Sequence, residues 1–270
     1  MLKNAAIGIF DSGIGGLTVL QQVAHLLPHE SLVYLGDTAR CPYGTKSHDI
    51  VAQYARENSD FLVERGIKML VVACNTVSAV ALEALRERYQ MPVIGVIEPG
   101  AQAAVDCSTN RRIGVIGTEA TIASRAYTRA LRTLDPDVEV YTRPCPLFVP
   151  LVEEGWVENE VARSTVATYL GSLKRSGIDT LILGCTHYPL LKKVIATFLG
   201  DGVRLVDSAE ETARVVKATL LSKDLVRHNI QGESSSGESS FFVTDMPDQF
   251  VKVGARFLGE VVESAVRIER

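Results

Sequence analysis

The chain has 270 residues, 46% of them hydrophobic and 22% charged, and carries a formal net charge of -4 at pH 7. That length supports one large core or two compact ones, and extended disorder is excluded. No basic excess is present, so a nucleic-acid footprint is excluded as well, which leaves a small molecule or a protein as the expected partner.

Met1 to Phe10 meets Asp11 before it reaches the length of a signal peptide and reads as a first strand. The longest apolar stretch without charge runs from Met69 to Leu82, holds Asn75 and Thr76, and falls short of the roughly 18 residues of a membrane span. A cytoplasmic protein with no membrane partner is the expectation. Five cysteines, at 41, 74, 107, 145 and 185, include no CxxC pair and no tight Cys/His cluster. They are expected to be free thiols, with no metal site among them.

In chain order, apolar runs of strand length fall at 5–10, 31–36, 69–73, 93–97, 112–117, 138–142, 180–183, 203–206 and 241–244. Helical patterns lie between them at 17–27, 50–65, 77–88, 122–134, 158–175, 190–198 and 209–221. Alternation of this kind is the signature of parallel βαβ units and predicts an α/β fold. The chain also repeats itself. Ile7-Gly8-Ile9-Phe10-Asp11-Ser12 resembles Ile113-Gly114-Val115-Ile116-Gly117-Thr118, Cys41-Pro42 recurs as Cys145-Pro146, and Ala73-Cys74-Asn75-Thr76 recurs as Gly184-Cys185-Thr186-His187, at offsets of 106, 104 and 111. Three matches in register argue for an internal duplication.

Two similar domains are therefore predicted, each a mostly parallel sheet flanked by helices. Residues 1–98 plus 208–270 form the first and 99–207 the second, related by a pseudo-two-fold axis with the active site in the cleft between them. Residues 231–240, with Gly232, Gly237 and five serines, read as a connecting loop.

Cys74 and Cys185 each close a hydrophobic strand, the edge of an open α/β sheet where ligands collect. A helix N-terminus behind each would lower a thiol pKa from about 8.5 and favour a carboxylate beside it. Across a two-fold axis, equivalent residues face each other, so one sulfur could remove a proton from a carbon while the other delivers one to the opposite face. The centre inverts without net redox change. An amino-acid α-proton is far less acidic than a thiol, and each unit of mismatch adds about 1.4 kcal/mol, so fixed donors must stabilise the carbanion.

Phe10-Asp11-Ser12-Gly13-Ile14-Gly15-Gly16-Leu17-Thr18, Gly36-Asp37-Thr38-Ala39-Arg40-Cys41-Pro42-Tyr43-Gly44, Ala73-Cys74-Asn75-Thr76 and Gly184-Cys185-Thr186-His187-Tyr188-Pro189-Leu190 resemble the glutamate racemases. The likeness extends through Cys145 to Gly155 and Val206-Asp207-Ser208, nearly the whole chain. It implies a racemase without cofactor that supplies D-glutamate for bacterial peptidoglycan, commonly as a homodimer. By the resemblance, Cys74 takes the proton from D-glutamate and Cys185 from L-glutamate, with Asp11 assisting the first thiol and Glu153 and His187 the second. It further implies that Asp11, Ser12, Tyr43, Gly44, Asn75, Thr76, Thr186 and His187 hold the substrate's charged groups, with Thr118 and Thr121 as further candidates. No long N-terminal extension of the kind that goes with activation by a cell-wall precursor is seen, so that activator is not expected.

Plainer readings stand beside these. Asp11 could be only a helix cap, and Gly13 to Gly16 lacks the spacing of a phosphate cradle. Glu153 could be a solvated helix end. Cys41, Cys107 and Cys145 read as structural, and His25, His29, His48 and His228 as solvated. An aspartate or hydantoin racemase, a dithiol redox protein and a binding protein that closes on an acidic ligand are the rival functions.

Overall fold

The computed structural model describes residues 2–227, 237–259 and 262–269. Apolar, β-branched runs form the strands Ile7–Asp11 (β1), Leu32–Gly36 (β2), Met69–Val72 (β3), Val93–Gly95 (β4), Arg112–Gly117 (β5), Glu139–Pro144 (β6), Thr180–Gly184 (β7), Arg204–Asp207 (β8), Ser239–Val243 (β9) and Val266–Arg267 (β10). Each predicted strand is present to within two residues at either end; β10, itself only two residues long, left no pattern to read.

The strands build two sheets in which every pairing is parallel, ordered β10-β9-β2-β1-β3-β4 and β6-β5-β7-β8. The order β2-β1-β3-β4 of the first is repeated by β6-β5-β7-β8 in the second, so the sequence repeat is a repeat of topology. Parallel pairing requires crossover connections, which place helices on both sheet faces and bury the strands.

The helices are Leu17–Leu26 (α1), His48–Val63 (α2), Asn75–Val80 (α3), Leu82–Arg88 (α4), Ile97–Cys107 (α5), Glu119–Ala123 (α6), Ala126–Leu134 (α7), Phe148–Glu153 (α8), Glu160–Arg175 (α9), Lys192–Leu199 (α10), Ser208–Ser222 (α11) and Pro247–Leu258 (α12). Two predicted helices are broken: 77–88 divides at Ala81, and 122–134 divides at Arg125, whose φ of 56° ends one helix before the next begins. The strand predicted at 93–97 stops at Gly95, and α5 takes over from Ile97. The passage from one sheet to the other is thus made by a helix, whose first turn holds Glu98 and Pro99. The tail contains a second helix, α12, beyond the single one predicted there, and Ser239 and Ser240, assigned to the loop, begin β9. Residues 231–236 of that serine-rich segment, with His228, lie outside the described residues.

Alternation along the strands sorts the core. Ile7, Ile9, Leu32, Tyr34, Met69 and Val71 face α1, α11 and α12, and their core runs on into the second sheet through Leu181 and Leu183. Phe10, Leu35, Leu70 and Val72 face the other way, onto Val51, Ala55 and Leu62 of α2 and Val77 and Leu85 of α3 and α4. The far face of the second sheet, Ile113, Val115 and Ile182, is covered by Ala101 and Ala104 of α5 and Leu131 of α7.

Candidate active site

Cys74 follows β3 and is the N-cap of α3, with its Sγ donating to Ser12 Oγ at 3.6 Å. β1 lies beside β3 in the sheet, so Asp11, the last residue of β1, comes to the same edge. Its Oδ2 accepts from Gly13 N–H at 2.9 Å, and Tyr34 Oη donates to Gly13 O at 2.8 Å, fixing the glycine turn. Asp11 Oδ1 is buried and has no partner among the described residues. Burial raises the Asp11 pKa, against the opposing charge of a protonated His187 and the Gly13 N–H.

Burial also pushes the Cys74 thiol up to about 11, aided by the charge of Asp11 and opposed by hydrogen bonds from Val77 N–H and Ser12. The expectation that a helix N-terminus lowers this thiol fails for a physical reason: α3 has only six residues, and the cost of charging the thiol of a residue that is 5% exposed exceeds what a short helix returns.

Cys185 follows β7 and is 7% exposed. No α-helix starts directly behind it; Thr186 and His187 turn the chain into a short 3-10 helix, Tyr188–Leu191. Cys185 Sγ lies 4.0 Å from His187 Nδ1, and His187 Nε2 lies 2.9 Å from Glu153 Oε1, at the end of α8. Sulfur, imidazole and carboxylate form a chain along which a proton can pass. Burial raises the Cys185 pKa well above the ordinary thiol range, against a hydrogen bond from His187 N–H, and the charges of Cys74 and Asp11 add to the rise. The two thiols, ending strands of different sheets, are close enough for the charge of one to act on the other.

The two halves meet tightly around these groups. A Cβ on Gly15 would collide with Thr186 Oγ1 and His187 Nδ1, and Thr18 Oγ1 donates to Thr186 O at 3.1 Å. Thr76 Oγ1 lies 3.1 Å from Thr118 Oγ1 and 3.3 Å from Thr121 Oγ1, and the latter two are 2.9 Å apart. Gly44 packs on Thr118. Asn75 Oδ1 accepts from Tyr127 Oη at 2.7 Å, which leaves its buried Nδ2 without a partner among the described residues. Hydroxyls and an amide N–H suit carboxylates, and the Asp11 carboxylate suits an ammonium.

Tyr43 is buried with its hydroxyl donating to Asp37 and accepting from Asn58 Nδ2 at 3.0 Å, so it can present only main chain beside Gly44. Cys41, read as structural, stands close to Gly13; its charge would act on Cys185, and the charge of Cys74 would act on it. It lines a cavity of about 480 Å³ with Gly13, Glu153 and Phe250 that flanks the site. Its place in a Cys-Pro loop carried no signal of that proximity. His25, His29 and His48 are exposed. No group of three His, Cys, Asp or Glu side chains among the described residues is arranged to hold a metal ion, and no helix among them is long and apolar enough to cross a membrane.

Residues 15–216 match the family model described as Asp/Glu/Hydantoin racemase. A glutamate racemase from Geobacter metallireducens is 58% identical over 254 residues, 94% of this chain and 93% of the relative. Among solved structures, a glutamate racemase isoform from Bacillus anthracis superposes with a TM-score of 0.94 at 41% identity, covering 99% of this chain and 98% of that one. A glutamate racemase from Francisella tularensis, solved in complex with D-glutamate, superposes with a TM-score of 0.91 at 38% identity over 99% and 98% of the two chains. The chain therefore belongs to the Asp/Glu/Hydantoin racemase family, among its glutamate racemases.

Proposed function

We propose that the protein interconverts L- and D-glutamate by proton transfer between two thiols, Cys74 and Cys185, without a cofactor. The observation that carries this reading is that the thiols end equivalent strands of two repeated sheets, each beside its own acid–base group. Asp11 serves the Cys74 side, and His187 with Glu153 serves the Cys185 side. The substrate ammonium pairs with Asp11, while Asn75, Thr76, Thr118, Thr121 and Thr186, with Ser12 and the main chain of Tyr43-Gly44, receive the two carboxylates.

Burial holds both thiols protonated in the resting protein. That same burial makes each thiolate, once formed, a stronger base. Two pKa units, from about 9 to about 11 at Cys74, reduce the mismatch with the α-carbon by roughly 3 kcal/mol. Ionisation is deferred until a substrate ammonium arrives and a neighbouring acid–base group takes the thiol proton. Cys74 acts as base toward D-glutamate and Cys185 toward L-glutamate, the other thiol supplying the proton.

In this reading the product D-glutamate is made in the cytoplasm for peptidoglycan, and the working form is a homodimer. The test is incubation of the purified chain with L-glutamate in deuterated water, with no added cofactor. Loss of the α-proton signal together with loss of optical rotation is the expected result. Binding without exchange, or faster turnover of aspartate than of glutamate, would overturn the assignment.

A further inference from the structure

We infer that α12 sets the position of the Glu153–His187 pair, with Arg256 and Phe257 as positioning residues for the half of the reaction run by Cys185; this rests on the racemase reading above. The last carbonyls of a helix have no partner within it and carry partial negative charge. At the end of α8 one of them is taken by a neighbouring helix: Arg256 Nη1 donates to Glu153 O at 2.5 Å. The chain then turns through Gly155 at a φ of +77°, where an added Cβ would lie 3.2 Å from Arg256 Nη1. The guanidinium thus covers the turn and anchors the main chain of Glu153, while the Glu153 carboxylate reaches His187.

The next residue of α12 holds the other member of the pair. Phe257, 3% exposed, meets the His187 ring edge-on, with centroids 5.3 Å apart and an interplanar angle of 87°. The imidazole is therefore held by a carboxylate at Nε2 and by an aromatic wall, both governed by one turn of one helix. α12 is fixed in its turn to α1: Gln21 Nε2 donates to Leu258 O at 2.6 Å, and Gly254 lets Leu17 approach. The loop before α1 is the one that touches His187 through Gly15. α12 follows a strand of the first sheet and α8 follows a strand of the second. The relay beside Cys185 is consequently aligned by the half of the molecule that carries Cys74.

The experiment compares kcat and KM of the full chain with its Arg256→Ala, Arg256→Lys and Phe257→Leu variants, each also combined with Glu153→Gln. Misplacing a reacting group by about 1 Å costs on the order of 100-fold. Arg256→Ala and Phe257→Leu are expected to lower kcat with L-glutamate by about 10- to 100-fold with little change in KM, and Arg256→Lys to recover most of the loss. In the Glu153→Gln background, Arg256→Ala should cost less than about twofold more, since its effect passes through that residue. An unchanged kcat, a loss confined to KM, or the same loss for Arg256→Ala in both backgrounds would overturn the inference. A wild-type chain that does not racemise glutamate would overturn the functional reading and this inference together; an active wild type with unaffected variants would overturn this inference alone.

Discussion

Burial at Cys74 and Cys185 has consequences that single side chains can test. In Cys185→Ser, the remaining thiolate should still exchange the α-hydrogen of D-glutamate with deuterated water while inversion falls by about 10³-fold or more. Cys74→Ser should do the converse with L-glutamate. Proton NMR with chiral chromatography reads both, and equal exchange of both enantiomers by either variant would refute the assignment of faces. Cys74 also links stability to pH. Its folded pKa, about 11, lies above the ordinary thiol value of about 8.5, so between the two the unfolded chain binds fewer protons. The contribution is fully present below about 8.5 and is lost as pH rises through about 11. Urea midpoints should fall across that window, and Cys74→Ala should flatten the fall by up to roughly 3 kcal/mol.

Among the elements, the short helix α6 joins a structural duty to the binding one proposed for it. Thr118 caps it, accepting from Thr121 N–H at 3.2 Å, and the same hydroxyl stands against Thr76. Thr118→Ala should cost about 1 kcal/mol of stability and raise KM for glutamate, whereas Thr118→Ser should spare both; calorimetry and steady-state kinetics check the pair. The strands were legible because burial on both faces leaves short apolar runs between helical patterns, and the duplicated motifs placed Cys74 and Cys185 at strand ends. α8 and α12 were hidden, the first by its six residues around Pro150 and the second by Pro247 and Gly254. Spacing also said nothing of Cys41 beside Gly13, of Tyr43 turned toward Asp37, or of Phe257 against His187. The first and last of these join segments that are far apart in the chain, and only tertiary packing creates them, whereas Asp37 and Tyr43, six residues apart, are brought together by the course of one loop.

For the whole molecule, the seam between the sheets is the most sensitive feature. At Gly15 no side chain fits, because Thr186 and His187 occupy the space a Cβ would need. Gly15→Ala should therefore cost about 1–3 kcal/mol through overpacking and should lower kcat/KM far more than Gly202→Ala, whose added Cβ meets nothing within 4 Å. Parallel melting curves and rate measurements on the two variants decide this, and equal behaviour would show that the seam tolerates displacement. The strand order has a further consequence, for the timing of biosynthesis. β5 to β8 come from one unbroken stretch, 112–207, whereas the outer edge of β2 is paired by β9, at Ser239–Val243. As the polypeptide leaves the ribosome, the later-made sheet has all its strands first, and the earlier-made one waits with an open edge until the tail emerges to close it.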